Sequence, residues 1–259
     1  MADIIELSIP IRKSGCQCPW NIYQSISYLI FAGAILILFL QVFPEFELLG
    51  QILIIVFFII TITALIFYAI KLTYSDPTDP LVIDFRSTID PELRDELENK
   101  TTRYCNFCKS PVSSIRSKHC MRCNRCTSIF DHHCKFVNNC VGERNYHDFI
   151  KLILALEVFE VFLASVCMVF FFHKYWDLSY LDIPIVALLV KSILVIAANG
   201  YLIFFHVTLI KKNITTYEYI SLRLKRNTEV IPRLHNEENS LSYIKDRDSS
   251  VMYANKDNL

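Results

Sequence analysis

Residues 105–140 read CNFCKSPVSSIRSKHCMRCNRCTSIFDHHCKFVNNC and hold seven of the chain's ten cysteines. Two ligand strings of the same form run through them. One is Cys105-x2-Cys108-x10-His119-x6-Cys126, the other Cys120-x2-Cys123-x9-His133-x6-Cys140. They are offset by 15 and then 14 residues, so they interleave. Each supplies three thiolates and one imidazole, a complete tetrahedral Cys3His set for zinc. Eight ligands fill two sites and leave no coordination position for substrate. Both metals are therefore expected to be structural, and folding of the segment to depend on them. The interleaving ties the two sites into one rigid knuckle that needs little hydrophobic core.

Outward from the block, 53% of the 259 residues are hydrophobic. Four stretches, approximately 25–43, 48–70, 150–172 and 184–210, are long and apolar enough to cross a bilayer, which takes about 20 residues. A buried core helix explains one such stretch, not four. About two dozen polar-mixed residues precede the first, so it is not read as a cleavable signal peptide. The connections at 44–47 and 173–183 carry no Lys or Arg and one, Lys174; the connection 71–147 carries twelve. Two more precede the first span (Arg12, Lys13) and nine lie from Lys211 onward. The cation-rich side is cytosolic, which places both termini and 71–147 there. Structural disulfides are not expected in the cytosol, which again favours zinc. The sequons at Asn99 and Asn213 should stay unmodified. The expected fold is an α-helical, multi-pass integral membrane protein. Four transmembrane helices carry a cytosolic zinc-binding cysteine-rich domain between helices 2 and 3.

The divisions expected along the chain are an N-terminal segment (1–24), helices 1 and 2 (25–70), an acidic linker (71–100), the zinc-binding domain (101–149), helices 3 and 4 (150–210) and a polar tail (211–259). The net charge is zero, 26 cations against 26 anions, which argues against nucleic acid as a partner. The balance is uneven locally. Residues 76–100 hold eight carboxylates against three cations, which reads as a solvated linker with a short helix after Asp90-Pro91. Residues 101–147 hold eight cations against Asp131 and Glu143.

Neither ligand string uses Cys134 or His132. They lie in Asp131-His132-His133-Cys134, beside ligand His133. A spare thiol next to a spare imidazole and a carboxylate is a nucleophile arrangement. A free thiol near pKa 8.5 is only a few per cent thiolate at pH 7, so it needs a base. His132 can take the proton, with Asp131 fixing its tautomer and stabilising the imidazolium. His133 is committed to metal.

At these residues the chain resembles the DHHC protein S-acyltransferases (palmitoyltransferases). The Asp131-His132-His133-Cys134 run sits in a Cys/His-rich loop between the second and third of four spans. Arg116-Ser-Lys-His119-Cys120, Phe130-Asp-His-His-Cys134 and Asn138-Asn139-Cys140-Val141-Gly142, with Asn145 and Phe149, are similar to the family's cysteine-rich domain. Asp76-Pro77 looks like its Asp-Pro-Gly motif and Thr215-Thr216-Tyr217-Glu218 like its Thr-Thr-x-Glu motif. The departures are Thr78 for Gly, Lys135-Phe136 for the commoner Pro-Trp, a Cys108–His119 gap one residue longer with Ser114 for a Pro, and no Asn-Pro-Tyr motif in 219–259.

The resemblance implies a ping-pong enzyme with two structural zinc ions. Cys134 is expected to take a long-chain acyl group, palmitoyl foremost, from acyl-CoA and to pass it to cysteine thiols of membrane-associated protein substrates at the cytosolic face. By that resemblance Asp131, His132 and Cys134 are catalytic and the eight Cys and His residues are metal ligands. The partners implied are acyl-CoA, the lipid bilayer and the protein substrates, on an endomembrane (ER or Golgi) or the plasma membrane. Lys135, Arg144 and Arg116 are candidates for the phosphates of coenzyme A. Glu157, Glu160 and Lys191 lie inside spans, where each charge costs about 2.5–3.5 kcal/mol, so they should face the bundle. A Glu160–Lys191 pair is within reach. If that face lined an acyl cavity, it would disfavour long chains and Phe159 would limit its depth. Cys16 and Cys18 are candidate acylation sites, and Cys167 a packing residue. The alternatives are a zinc-stabilised membrane adaptor without turnover, and a small transporter built on the three intramembrane charges.

Overall fold

A computed structural model of the chain describes residues 11–101, 103–174, 179 and 182–226. Four long helices dominate it. Helix α1 (Ile22–Ile37) opens at Asn21, whose side chain accepts from the Tyr23 amide at 3.0 Å. It continues through a π turn (Leu38–Val42) into a 3-10 turn (Phe43–Glu45), where Pro44 has no N–H with which to extend the α ladder. The others are α2 (Leu48–Tyr74), α5 (Tyr146–His173) and α6 (Ile183–Lys211). The four apolar stretches are 24 to 29 residues long. At about 1.5 Å per residue the longest reach roughly 40 Å, beyond the ~30 Å of a bilayer's hydrocarbon. Leu29, Leu49 and Phe172 point outward, at 72%, 70% and 84% exposure, as a lipid-facing surface requires. The chain is a multi-pass membrane protein. The third span starts earlier than its apolar run because the first turn of α5, Tyr146-His147-Asp148, is polar.

Phe159 is fully buried and meets Phe31 of α1 and Phe58 of α2 at ring centroid distances of 5.9 and 6.3 Å. Cys167 is buried in the same core, as a packing residue should be. Helices α5 and α6 are also joined by polar rungs. Lys191 Nζ donates to both Glu160 oxygens at 2.8 and 2.7 Å. The Asn199 amide donates to Glu157 Oε2 and to the Ile153 carbonyl, both at 2.8 Å. The intramembrane carboxylates therefore neutralise or bond groups on the facing helix. Glu160 is only 2% exposed, so Lys191→Met should cost on the order of 3 kcal/mol by stranding its charge. Glu160→Leu with Lys191→Met should restore a melting temperature near wild type. A single variant as stable as the double would contradict this account.

Between α2 and α5 lie two short helices and three hairpins. Asp79-Pro80 and Asp90-Pro91 each serve as N-cap and first turn, for α3 (Pro80–Ser87) and α4 (Pro91–Asn99). The short helix expected after Asp90-Pro91 is α4; α3 carries the same signal. The segment is also less solvated than its charge predicts. Asp79 is fully buried and accepts from the Ser113 amide (3.2 Å), the Ser113 hydroxyl (2.9 Å) and the Ser117 hydroxyl (2.6 Å). The hairpins are β1 (Tyr104–Cys105) with β2 (Ser110–Pro111), β3 (Lys118–Cys120) with β4 (Arg125–Thr127), and β5 (His132–Cys134) with β6 (Asn139–Val141).

Asparagines fasten the last hairpin to the helices. The Asn139 amide donates to the carbonyls of Leu72, Thr73 and Ser75 at the end of α2 (2.9, 3.2 and 2.8 Å). Asn138 donates to the carbonyls of Gly15 and Pro19 (both 3.1 Å), and Arg12 reaches back to Asn138 Oδ1 (3.3 Å). Gly15 is needed there, since a Cβ would run into the Val137 carbonyl oxygen.

From Thr216 the chain belongs to a second unit, in which residues 216–226 are helical. The rest of the tail, 227–259, lies outside the described residues.

Candidate active site and metal centres

The three hairpins explain how interleaved ligands separate into two sites. In β3, His119 and Cys120 are adjacent and so project to opposite faces. His119 is paired across the ladder with Cys126, and His133 with Cys140. Each string thus closes on its own side. In the first set, His119 Nδ1 lies 3.8, 3.3 and 4.0 Å from the sulfurs of Cys105, Cys108 and Cys126, and the Cys108 and Cys126 sulfurs are 3.6 Å apart. In the second, His133 Nδ1 lies 3.7, 3.3 and 3.8 Å from Cys120, Cys123 and Cys140. In each set all ligand atoms are within 4.8 Å of one another. A tetrahedron with metal–sulfur bonds of ~2.3 Å has edges of about 3.7 Å. The donor sets therefore fit zinc in number, chemistry and spacing.

Thiol electrostatics agree with that fit. The Cys108 thiol is drawn down to about 5, chiefly by a hydrogen bond from Cys126, whose own thiol is pushed up by the same neighbour. Cys123 is pushed up to about 11 by Cys120. Sulfurs this close compete for one negative charge, and a divalent cation at the centre allows all three to be thiolates.

The same alternation that sends His133 into the second set turns His132 and Cys134 to the other face of β5. His132 Nδ1 is 2.7 Å from Asp131 Oδ2, and Asp131 is 2% exposed. Burial would lower the His132 pKa, but its hydrogen bonds to Asp131 and Cys134 outweigh this and raise it to about 9. Burial likewise opposes ionisation of Cys134. The His132 contact and the amides of Val137 and Phe136 outweigh it, and the thiol falls below its ordinary value. Carboxylate, imidazole and thiol thus form a connected set.

The turn after Cys134 has the shape of a zinc knuckle. Lys109, Asn124 and Asn138 have positive φ of 48°, 48° and 50°, each four residues after Cys105, Cys120 and Cys134. In the first turn the Cys108 amide donates to the Cys105 sulfur at 3.4 Å. Cys134 occupies the position of a knuckle's first cysteine, but Val137 stands where the second would be. Its sulfur keeps the turn's amide donors without a partner thiol to close a metal set.

Cys134 also packs on an apolar cluster of Leu72, Val137, Val141, Phe149 and Ile153, drawn from the ends of α2 and α5 and from the hairpin. Phe149 meets the His132 ring edge-on at 5.1 Å, and His206 of α6 lies 6.2 Å from it. His206 escaped the sequence reading. The available signal was a histidine inside an apolar span, which is costly without a partner.

The three candidate phosphate-binding cations hold different elements. Lys135 sits over the Tyr23 ring of α1 at 4.9 Å. Arg116 donates to the Asn213 carbonyl at 3.3 Å, and Arg144 to the Thr78 carbonyl at 3.5 Å. Thr78, at the place of the expected glycine, donates its backbone N–H to Asp76 Oδ1 at 3.0 Å. Asp76 in turn pairs with the buried Arg125 at 3.1 Å.

A family profile described as DHHC palmitoyltransferase matches residues 98–223, spanning both ligand sets and the Asp131-His132-Cys134 strand. Over residues 98–223 the chain belongs to the DHHC palmitoyltransferase family. It is 35% identical to the probable protein S-acyltransferase 20 of Arabidopsis thaliana over 134 residues, covering 45% of this chain and 19% of that protein. It is 33% identical to palmitoyltransferase ZDHHC8 of Drosophila melanogaster over 123 residues (47% and 13%) and 39% identical to palmitoyltransferase ZDHHC14 of Mus musculus over 80 residues (31% and 16%). The chain spans less than a fifth of the length of these relatives. The matched stretch takes in the knuckle together with α5 and α6.

Proposed function

We propose that this protein is a protein S-acyltransferase that moves a long-chain fatty acyl group, palmitoyl foremost, from acyl-CoA through a Cys134 thioester to cysteine thiols of protein substrates. The observation that carries the reading is the Asp131–His132 bond on the strand that carries Cys134, seated on an apolar cluster at the ends of the spans. That position lets a long acyl chain stay among apolar side chains while the CoA headgroup remains in water.

Asp131 accepts a hydrogen bond from His132 Nδ1–H, which leaves Nε2 free for the thiol. His132 takes the Cys134 proton, and the thiolate attacks the acyl-CoA carbonyl. The imidazolium returns the proton to the departing CoA thiolate, leaving acyl-Cys134. A substrate cysteine then gives its proton to His132, attacks the thioester, and releases Cys134 as the thiolate of the thiolate–imidazolium pair. The zinc ions, held by Cys105, Cys108, His119, Cys126 and by Cys120, Cys123, His133, Cys140, brace the hairpins that present this strand. Lys135, Arg144 and Arg116 supply positive charge for CoA phosphates.

The distribution of Lys and Arg supports residues 101–149 as a catalytic domain on the cytosolic face, with both termini on that side, in an endomembrane or the plasma membrane. Acceptors are membrane-associated proteins with cytosolic cysteines.

Asp131→Asn tests the orienting carboxylate. It keeps the shape but favours the wrong His132 tautomer. Acyl-enzyme formation should slow by about 10²–10⁴-fold with the zinc content unchanged. Single-turnover labelling with palmitoyl-CoA reads the rate, and a rate within twofold of wild type would remove Asp131 from the mechanism.

A further inference from the structure

The polar rungs between α5 and α6 continue past Glu160–Lys191 and Glu157–Asn199 to a third, Tyr146–His206, about 22 Å along α6 from Lys191. There the Tyr146 hydroxyl and His206 Nδ1 are 2.9 Å apart. His206 is 2% exposed. An apolar residue would pack as well at that place at no polar cost, so the histidine calls for a reason. Its surroundings supply one. The rings of His132, Phe149 and His206 form a closed triangle, with centroids 5.1, 5.0 and 6.2 Å apart. Tyr146 and Phe149 stand one turn apart at the start of α5.

On its Nδ1 side His132 is held by Asp131 at 2.7 Å, a single hydrogen bond that does not by itself fix the plane of the ring. Phe149 limits one direction. The face toward α6 is limited by His206, which is itself held by Tyr146. We infer that the Tyr146–His206 pair is a positioning device for His132, with α6 supplying the wall that keeps its ring aimed at Cys134. The inference rests on the acyltransferase reading above. It adds two residues to the site that do not touch the acyl group's thioester.

The test uses zinc-loaded full-length protein in detergent. It measures the single-turnover rate of hydroxylamine-labile acylation of Cys134 by palmitoyl-CoA, with Cys134→Ser as the blank. His206→Phe keeps a ring but loses the bond to Tyr146; Tyr146→Phe removes one hydroxyl. Each should slow acylation on the order of 10–100-fold, since small misplacements of a catalytic group carry penalties of this size. The KM for palmitoyl-CoA should stay within about twofold of wild type, because the pair touches no CoA group. The double variant should be no slower than the slower single, because the two act as one unit. His206→Asn, which keeps an oxygen acceptor near the Nδ1 position, should recover most of the rate. A wild-type rate in both single variants overturns the inference while acyl-Cys134 in wild type leaves the acyltransferase reading standing. No acyl-Cys134 even in wild type removes both. A rate lost only in step with zinc content or melting temperature makes the pair structural and also overturns the inference.

Discussion

Cys134→Ser protein should take up no hydroxylamine-labile acyl group from palmitoyl-CoA, while wild type should take up about one per chain at Cys134. The substitution leaves the turn amides, His132 and Asp131 in place and exchanges only sulfur for oxygen. A thiol in this site is already biased toward thiolate by His132 and by the Phe136 and Val137 amides. A serine hydroxyl is far weaker as an acid, and the same donors leave it neutral. Any ester it formed would resist neutral hydroxylamine, so the readout separates the two chemistries. Peptide mapping makes the test sharper, because Cys16 and Cys18 are exposed thiols outside the site. Label on those residues alone, with none on Cys134 in wild type, would mean direct chemical acylation and would refute the mechanism.

Removal of zinc should have the next largest effect. Structural zinc in small domains contributes about 10–16 kcal/mol of binding free energy at neutral pH, comparable to or larger than the ~5–15 kcal/mol that holds a typical domain folded. The hairpins have only two- and three-residue strands, and their core is mostly the cysteines themselves. Elemental analysis should find about two zinc ions per chain, and a chelator should make the 101–147 region protease-sensitive while the helical circular dichroism of the spans persists. Cys123→Ala should lose more than its own site. His119 and Cys120 are neighbours on one strand and belong to different sets, so disorder in one site is passed to the other. An active, protease-resistant protein that contains no zinc would falsify the ligand assignment.

Much of this was legible in the residue string because the signals are local. Ligand spacing along Cys105–Cys140 divides eight donors into two closed sets without any knowledge of the path between them. Span length and hydropathy report the need to satisfy backbone polar groups inside a bilayer, which a helix does within one segment. The Glu160–Lys191 pair followed from the cost of burying either charge alone. Other features were not legible. Asp79 counts as one more acid in a charged linker until Ser113 and Ser117 fold over it, 34 and 38 residues away. The seating of the last hairpin on α2 rests on Asn139, whose backbone partners 64 to 67 residues earlier carry no mark in the sequence.

The division is clearest around Cys134. That it is the cysteine left over, with a histidine and an acid beside it, is a matter of counting ligands along the chain. A two-residue side-chain period then puts His132 and Cys134 on one face of a strand and His133 on the other. What surrounds that face comes from packing. The turn amides of Phe136 and Val137 are local to the hairpin, but the apolar floor from α2 and α5 and the His206 ring against His132 arrive at this face only once the spans are bundled. Coordination chemistry and backbone periodicity act over a few residues and can be read in one dimension. Close packing depends on which distant faces meet, and no short window of sequence contains both faces.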